Sequence, residues 1–405
     1  MKTIKTIVGI SLICCILFGL VLISLNMTEI RPTATNLAPQ QTVRGLHVPG
    51  LHAAITINGN TAFATQASSQ GWPGDGSAGT PYVISDYVII ALTNPGVYIL
   101  NTNKYFIIEN VTVRDALPHE GFVLNNVTHG ELRNNIAINI SAGFTLMNSP
   151  NNILSGNTAI NNSQAGFGLY SSDNNDLMNN TAKNTYSTDG TGFYLSDSQN
   201  NNLTGNTARD SDLNGFALWD SQDNTLINNT ALFNKQGFYI SGSDNKLTGN
   251  TATVNTQSGF NLHSCSLNTL LYNTATSNGD SGFLLDNTSQ NILLYNTATD
   301  NGANGFTLSS TLQSILVYNT ATDNDANGLR LVYTNYSTFG ANTLSPNGDD
   351  CISEFGCVGN TFTGNICEED SGIPGFNLAI LIGMLAVISI VFFLRKYQYG
   401  RLNLY

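Results

Sequence analysis

The chain has few charged residues, few basic residues and few metal-binding side chains, and each shortage argues against a class of function. Only 10% of its 405 residues are charged, with 15 Lys and Arg against 27 Asp and Glu. The net charge of -12 argues against nucleic acid as a partner, because phosphate binding needs a clustered basic surface. Copper handling needs clusters of Met, Cys or His, whereas the five His and five Met residues here are scattered. The sequence has no nucleotide-binding loop, no Ser-His-Asp arrangement and no Cys or His spacing typical of a metal site.

Long hydrophobic runs are confined to the two ends of the chain. The first, Ile7 to Leu25, follows two Lys residues, and the second, Phe376 to Leu394, precedes Arg395 and Lys396. Basic flanks of this kind stay on the cytoplasmic side of a membrane. We therefore expect the bulk of the chain outside the cell, with a signal peptide or N-terminal anchor over residues 1–30, a transmembrane helix over 373–395 and a cytoplasmic basic tail over 396–405.

A short phrase, Gly-Phe-x-Leu or a close variant, recurs through the middle of the chain. The steps between copies are 22 or 23 residues, with one step of 26 between Phe167 and Phe193. A fixed period in this range indicates one supersecondary unit stacked on copies of itself, because a single copy cannot bury its own apolar face. The copies are centred on Phe122, Phe144, Phe167, Phe193, Phe216, Phe238, Phe260, Phe283, Phe306 and Leu329.

Eight of the ten repeats also contain a second phrase, Asn-Thr-Ala, which follows the Gly-Phe pair by 12 to 14 residues. Phe and Leu two positions apart share one face of an extended strand, and runs this short cannot form useful helical turns. Three short strands per repeat, joined by Asn, Ser, Asp and Gly, favour a parallel β-helix over a leucine-rich repeat, which needs more Leu per unit. The predicted fold is all-β, a single-stranded parallel β-helix of about 10–12 coils over residues 91–345, between a linker and N-terminal cap (31–90) and a Cys-containing C-terminal cap (346–372).

Small and polar residues recur in register with the Phe residues, which predicts ladders inside the coils. Ser, Cys or Thr follows the Phe by five positions and Asn follows it by eight, as at Ser198 and Asn201. An inward Asn hydrogen-bonds its own turn and the Asn residues above and below, and so satisfies buried polar groups. The predicted Asn ladder comprises Asn152, Asn175, Asn201, Asn224, Asn245, Asn268 and Asn291.

The six cysteines divide by context. Cys14–Cys15 lie inside the first apolar run, and Cys265 occupies a rung of the Ser/Thr ladder, where a small buried residue is the simplest interpretation. Cys351, Cys357 and Cys367 follow the last coil. Outside the cell we expect two of these three to form a disulfide that closes the C-terminal cap. Zinc binding is the weaker alternative, because no His lies nearby.

The coil phrases and an N-terminal segment resemble the right-handed parallel β-helix proteins grouped as NosD-like periplasmic proteins and as carbohydrate-binding and sugar-hydrolase repeat proteins. The resemblance covers about residues 54–345 and implies a right-handed coil, an exterior location and, in many members, contact with polysaccharide. The N-terminal segment that carries it reads Asn58-Gly-Asn60, Gly71-Trp72-Pro-Gly-Asp75-Gly76 and Pro81-Tyr82-Val83-Ile84.

A second resemblance concerns the C-terminal end. Pro374-Gly375-Phe376, followed by the apolar run and a basic tail, is similar to the C-terminal sorting signal of archaeal surface proteins. That resemblance implies removal of the tail by an archaeosortase-like enzyme. Permanent anchoring by the apolar run is the alternative.

Aromatic residues on the outward face of the Phe-containing strands predict a ligand-binding stripe. Residues between and after the inward Phe and Leu face outward, because strand side chains alternate. Flat rings exposed in a line suit the faces of sugar rings, and their polar edges suit hydroxyl groups. Lateral pairing of outward Tyr for stability is the alternative, but it gives no reason for Trp219 to face outward. After Met147 the stripe holds Tyr170, Tyr194, Trp219, Tyr239, His263 and Asp286.

Two carboxylates beside this stripe are candidates for catalysis. Asp197 and Asp220 occupy the same place in adjacent coils, so their Cα atoms are expected ~5 Å apart. Retaining glycosidases use a carboxylate pair at such a separation. The alternative is that both Asp residues simply form turns. A polysaccharide lyase is less favoured, because Arg330 is the basic residue of the stripe and the neighbouring bases lie on turns.

The turns before the Gly-Phe phrase carry a further acidic set. Asp300, Asp323 and Asp325 would stack there with Asn and backbone carbonyls, and Ca²⁺ prefers such oxygen ligands. A solvated acidic edge that aids solubility is the alternative. Ca²⁺ is the one cofactor that the sequence suggests.

Asn-x-Ser/Thr sequons are frequent, and either real glycosylation or chance in an Asn- and Thr-rich repeat accounts for them. The candidates beyond the N-terminal segment are Asn110, Asn126, Asn139, Asn161, Asn179, Asn202, Asn228, Asn287 and Asn335.

The sequence as a whole favours a membrane-anchored β-helix on the cell surface that binds carbohydrate or mediates adhesion through the stripe. A glycoside hydrolase or lyase on the same face is one alternative. A purely structural envelope stalk is another, because a regular, charge-poor repeat suffices for it. Oligomeric state is left open.

Overall fold

The structure, a computed structural model, describes residues 50–367, which all fall within one compact unit of the chain. The predicted signal or anchor segment (1–30), the transmembrane helix (373–395), the cytoplasmic tail (396–405), Cys14–Cys15 and the Pro-Gly-Phe motif lie outside the described residues. Among residues 50–367, no helix combines the length and the hydrophobicity needed to cross a membrane.

The described chain winds through three parallel sheets, and each full coil gives one short strand to each sheet. Every strand pairs with strands of the same sheet in the preceding and following coils. We name the sheets after the residue that most of their strands point into the core: the Phe sheet, the Leu sheet and the Ala sheet. The prediction of an all-β parallel β-helix of about 10–12 coils is confirmed, with sheets of 12, 13 and 13 strands.

The strands are three to six residues long. The Phe sheet contains β2 (Ile55–Asn58), β5 (Val97–Thr102), β8 (Phe122–Val127), β11 (Ala142–Met147), β14 (Ala165–Tyr170), β17 (Thr191–Ser196), β20 (Asn214–Trp219), β23 (Gln236–Ile240), β26 (Phe260–His263), β29 (Phe283–Asp286), β32 (Phe306–Ser309), β35 (Leu329–Val332) and β37 (Ile352–Phe355). The Leu sheet contains β3 (Tyr82–Ser85), β6 (Phe106–Glu109), β9 (Gly130–Arg133), β12 (Ile153–Ser155), β15 (Asp176–Met178), β18 (Asn202–Thr204), β21 (Thr225–Ile227), β24 (Lys246–Thr248), β27 (Thr269–Leu271), β30 (Ile292–Leu294), β33 (Ile315–Val317), β36 (Thr338–Gly340) and β38 (Thr361–Thr363). The Ala sheet contains β1 (Gly50–His52), β4 (Tyr87–Ile90), β7 (Thr112–Arg114), β10 (Ile136–Ile138), β13 (Thr158–Asn162), β16 (Thr181–Thr185), β19 (Thr207–Ser211), β22 (Thr230–Leu232), β25 (Thr251–Thr253), β28 (Thr274–Thr276), β31 (Thr297–Thr299) and β34 (Thr320–Thr322).

Identical side chains stack from coil to coil in the core. From Phe122 to Phe306 the inward rings lie with centroids 4.7 to 4.9 Å apart and within 10° of parallel. This separation equals the ~4.8 Å between paired strands. Parallel pairing in register, as between Phe144 and Phe167, therefore produces the stack directly.

The Gly of one phrase and the Ala of the other face each other at the corner between the Ala sheet and the Phe sheet. A Cβ at Gly215 would lie 2.7 Å from the Gly237 carbonyl oxygen and 2.9 Å from the Ala231 Cβ. A larger side chain at the Gly of the Gly-Phe phrase or at the Ala of the Asn-Thr-Ala phrase would therefore push the coils apart. Close packing at this corner explains why the two phrases recur together.

Buried Asn ladders satisfy the backbone at the corners. The predicted ladder from Asn152 to Asn291 is confirmed: its members are buried, and the Asn201 backbone N–H, for example, donates to the Asn224 Oδ1 at 2.8 Å. The structure adds two ladders that the sequence reasoning did not identify. One is formed by the Asn of each Asn-Thr-Ala phrase, and the other precedes the Phe sheet and includes Asn234, Asn255, Asn278, Asn301 and Asn324.

The two ends of the described region differ. Helix α1 (Asn60–Gln70) covers the first coils, and its fully buried Phe63 ring stacks on Tyr82 with centroids 4.8 Å apart. At the other end, the segment expected to form a cap contributes β37 and β38, which extend the Phe and Leu sheets by another coil. A disulfide joins Cys351 to Cys367 across that coil and leaves Cys357 free.

Candidate functional site

The residues of the predicted stripe lie on the outer face of the Phe sheet, in two columns rather than one line. Tyr194 and Tyr239 come directly after the inward Phe, whereas the other stripe residues lie three positions after it. In the second column Tyr170, Ser196 and Trp219 are consecutive neighbours in register. Rings from different columns therefore meet diagonally.

Ring contacts divide the stripe into two groups. The Tyr170 and Tyr194 rings lie with centroids 5.6 Å apart, and the Trp219 and Tyr239 rings lie 4.8 Å apart. Tyr170 is 38% exposed and Trp219 is 40% exposed. Both groups therefore present ring surface to solvent, as a sugar-binding platform requires.

The far end of the stripe is occupied by a side-chain pair. The His263 ring lies 6.4 Å from the Tyr239 ring, and its Nδ1 is 3.1 Å from the Asp286 Oδ2. His263 and Asp286 therefore form a polar pair on the outer face of the Phe sheet, next to the Trp219 and Tyr239 rings.

A cleft of about 650 Å³ lies between the two ring groups. It follows from the one irregular step of the repeat, because residues 187–189 of the long coil form one of its walls. The cleft is lined by Ser163, Gln164, Ala165, Tyr170, Ser187, Thr188, Asp189, Thr191, Tyr194, Leu213 and Trp219.

The wall is a tight turn held by its own hydrogen bonds. The Gly190 N–H donates to the Ser187 carbonyl at 2.9 Å, and the Asp189 N–H donates to the Ser187 Oγ at 3.2 Å. The Leu213 N–H of the next coil then donates to the Gly190 carbonyl at 2.9 Å. These bonds fix the Asp189 backbone at the rim of the cleft.

A glycine on the outward face makes room for the Tyr170 ring. A Cβ at Gly168 would lie 3.0 Å from the Tyr170 Cε2, so the ring rests against the sheet at this point. Burial raises the pKa of the Tyr170 phenol, and the neighbouring Tyr194 and Glu120 raise it further. The hydroxyl therefore stays protonated, and able to donate a hydrogen bond, at neutral pH.

A second cleft of about 380 Å³ adjoins the first and shares Gln164 and Tyr170 with it. Thr145 in this cleft is only 2% exposed, and its hydroxyl has no hydrogen-bond partner. Its lining residues are Glu120, Ala142, Thr145, Met147, Asn148, Gln164, Tyr170 and Ser171.

The predicted catalytic pair lies beside the first cleft. Asp197 and Asp220 directly follow Ser196 and Trp219, which pair in register, so the two residues occupy adjacent coils as expected. Both are exposed, and both adopt left-handed backbone conformations, with φ of 50° and 47°. The Asp197 N–H donates to the Trp219 carbonyl at 3.1 Å. This conformation fits the role of turn formers, and catalysis by the pair stays a prediction.

The predicted calcium ligands Asp300, Asp323 and Asp325 are exposed on the turns. Nowhere between residues 50 and 367 do three or more His, Cys, Asp or Glu side chains come together so as to hold a metal ion. These three carboxylates therefore do not form a metal site by themselves. The nine glycosylation candidates named above are all exposed or half-exposed, and their modification stays a prediction.

Sequence reasoning found the rings but missed the polar walls of both clefts. Gln164, Asp189, Glu120 and Thr145 lie on turns or between inward residues, where the repeat pattern gives no reason to select them. The step of 26 residues was the available signal, since extra residues in one coil must project from the stack.

Comparisons with known proteins identify the family and the fold. No curated protein is similar to the chain in sequence. A mutant of the periplasmic alginate epimerase AlgG is similar in structure, with a TM-score of 0.53 and 14% identity over 78% of this chain and 85% of that one. The A-module of the Azotobacter vinelandii mannuronan C-5 epimerase AlgE6 is similar with a TM-score of 0.52 and 15% identity, over 80% of this chain and 90% of that one. The catalytic domain of a GH87 α-1,3-glucanase variant in complex with tetrasaccharides is similar with a TM-score of 0.51 and 14% identity, over 82% of this chain and 71% of that one. The family model described as "Right handed beta helix region" matches residues 74–231 and 233–344, more than half of the sequence, and the chain therefore belongs to the right-handed β-helix family.

Proposed function

We propose that the protein binds carbohydrate in the cleft between Tyr170, Tyr194 and Trp219. The observation that carries this proposal is the convergence of three partly exposed aromatic rings and a polar wall on one cleft of about 650 Å³. The rings offer flat faces for pyranose rings, and the side chains of Gln164 and Asp189 offer hydrogen bonds to hydroxyl groups. Sites for small ligands commonly combine apolar surface with a few polar groups in this way.

The similar structures add support at the level of the fold. They include epimerases of alginate and of mannuronan and an α-1,3-glucanase seen with tetrasaccharides. The fold of this chain is therefore one on which proteins that act on polysaccharides are built. The evidence for a binding site in this chain comes from the residues that line its cleft.

The proposal includes a location at the cell surface. The apolar run from Phe376 to Leu394 and the basic residues after it are suited to a C-terminal anchor with a cytoplasmic tail. The surface positions of the sequons and the Cys351–Cys367 disulfide are compatible with an exported β-helix. Accessibility of Cys357 to an impermeant thiol reagent on intact cells tests this location, and labelling only after lysis would contradict it.

A glycoside hydrolase is the second candidate, because Asp197 and Asp220 are exposed in adjacent coils at the edge of the cleft. Hydrolysis would need one carboxyl group as acid and the other as nucleophile or base. Product analysis on any bound glycan distinguishes the two functions. Turnover that disappears in both Asp197→Asn and Asp220→Asn would favour the enzyme, and intact glycan would favour binding alone.

A glycan array probed with the wild-type chain and three variants tests the proposal. Trp219→Ala and Tyr194→Ala are expected to lose glycan retention while the melting temperature stays unchanged. Tyr272→Ala is the matched control, because Tyr272 is 58% exposed and stacks on Tyr295, away from both clefts. Retention that survives in Trp219→Ala and Tyr194→Ala would contradict the proposed site, and no retention on any array would favour a structural stalk.

A further inference from the structure

We infer that the ligand is an uncharged glycan that reaches from the aromatic cleft past Tyr170 into the second cleft, where Glu120 and Thr145 receive it. This inference rests on the proposed function and adds the chemical class and the extent of the ligand. It follows from the charges around the two clefts and from one unpartnered hydroxyl.

The described residues that line the two clefts include carboxylates but no Lys, Arg or His. Asp189 lies in the first cleft and Glu120 in the second. Asp197 and Asp220 are exposed on the same side, next to Ser196 and Trp219. A glycan with carboxylate or sulfate groups would place further negative charges against these side chains, and like charges across an interface disfavour binding.

The basic residues of the neighbouring coils do not line either cleft. Lys183 and Arg209 were predicted on turns, but they belong to strands β16 and β19 of the Ala sheet, and Arg209 pairs with Asp210 at 2.8 Å. Arg330 is on the outer face of the Phe sheet but five coils beyond Trp219, about 24 Å away at the usual strand spacing. Lys235 is on a turn at the rim, where its N–H donates to the Leu213 carbonyl, and its side chain is exposed. A single exposed base at the rim cannot neutralise one charge on every sugar of a polyuronate.

The second cleft provides a place for a hydroxyl group. The Thr145 hydroxyl is buried without a partner, and a buried polar group of this kind gains a full hydrogen bond when a ligand supplies one. Glu120 adds a half-buried carboxylate that accepts hydrogen bonds from hydroxyls. The strands under the two clefts run from β11 to β20, about 14 Å in total at the usual strand spacing, which suits an oligosaccharide rather than one sugar.

The test compares oligosaccharides of equal length and different charge on the full-length chain in a detergent without a sugar headgroup. Calorimetry with neutral, uronate and amino-sugar oligosaccharides should show the neutral set binding best, with uronates at least about tenfold weaker. The difference in affinity between neutral and uronate oligosaccharides should become smaller at high salt and in the Glu120→Gln, Asp189→Asn double variant. Both changes reduce the repulsion between the carboxylates of the clefts and those of the uronates.

The possible outcomes separate the two proposals. Uronates or amino sugars that bind as tightly as neutral glycans, and that depend on Trp219, would overturn the charge inference and leave glycan binding standing. Absence of binding by every set would overturn the proposed function itself.

A second variant tests the extent of the ligand. Thr145→Val removes the hydroxyl at nearly constant side-chain volume. It should lower the affinity for long neutral oligosaccharides about fivefold to tenfold and leave the affinity for disaccharides unchanged. Thr269→Val, on the Leu sheet away from the clefts, is the control and should change neither. Equal affinity of wild type and Thr145→Val for the long ligands would overturn the placement in the second cleft.

Discussion

Replacing Asn229 by Ala, in the middle of its ladder, should destabilise the whole β-helix by several kcal/mol. The Asn229 Nδ2 donates to the Leu203 carbonyl at 2.8 Å and to the Asn250 Oδ1 at 2.9 Å. Its Oδ1 accepts hydrogen bonds from the backbone N–H and the Nδ2 of Asn206, at 2.9 and 3.0 Å. Asn206, Asn229 and Asn250 have no exposed surface.

The Ala variant removes these four hydrogen bonds and leaves their partners buried. Each unsatisfied buried group costs about 1–3 kcal/mol, and local relaxation recovers part of the total. We therefore expect a loss of about 3–5 kcal/mol in the free energy of unfolding. Asn202→Ala is the control, since Asn202 is exposed and donates one side-chain hydrogen bond, to Asp176 at 2.8 Å, so we expect a change of about 0.5 kcal/mol.

Urea unfolding followed by circular dichroism measures both variants on the same scale. A loss in Asn229→Ala that equals the loss in Asn202→Ala would refute the claim that the ladder stabilises the fold. Asn229→Asp sharpens the test, because it keeps the shape but places a carboxylate against two acceptors. Burial without a positive partner should raise the pKa of that carboxyl in the folded protein above its value in the unfolded protein. The loss of stability should therefore grow as the pH rises above the unfolded pKa, and it should become smaller when the pH is lowered below that value.

Further predictions concern the site, the free cysteines and the N-terminal turn. Gly168→Val should weaken glycan binding about tenfold, because a side chain there displaces the Tyr170 ring; calorimetry measures this, and unchanged affinity would contradict the role of that ring. Burial raises the pKa of the Cys265 thiol to about 12, so peptide mapping after thiol labelling at mildly alkaline pH should find Cys357 modified and Cys265 protected until the chain is unfolded. Hydrogen bonds from Thr80 and Ser77 lower the pKa of Asp75 from 3.8 to about 2, so the turn should be stabilised above pH 3.8 and should lose that stabilisation as the pH falls towards 2. Carboxyl NMR titration checks the Asp75 value, and a midpoint near 3.8 would show that these hydrogen bonds are absent.

Periodicity was sufficient to predict the repetitive part of the fold. The recurrence of Phe and Leu two positions apart predicted the inward stack, and the recurrence of Asn after it predicted one buried ladder. The other two ladders and the corner contact at Gly215 depend on how three sheets meet, which follows from the closed coil and not from any single phrase. The extra coil at β37 and β38 was assigned to a cap, because its inward residues depart from the Gly-Phe phrase.

The site was predictable only in part. Strand alternation predicted outward rings at Tyr170, Tyr194 and Trp219, since that rule depends on local geometry alone. The same rule leaves two outward positions on each strand, one between the inward Phe and Leu and one after the Leu, but the prediction treated both as a single stripe. The walls of the clefts depend on a turn of irregular length and on contacts between coils, and the unpartnered Thr145 hydroxyl could be recognised only in three dimensions.

Fluorescence of Trp219 reports directly on ligand binding in the first cleft. The chain has two Trp residues, and the other, Trp72, is 6% exposed beside the N-terminal helix, so a Trp72→Phe protein reports on Trp219 alone. Titration of this protein with neutral oligosaccharides should give a saturable change in emission that disappears when Tyr194→Ala is added and the fold is intact. Emission that does not respond to glycans that the protein retains, or a response unchanged by Tyr194→Ala, would contradict carbohydrate binding in this cleft.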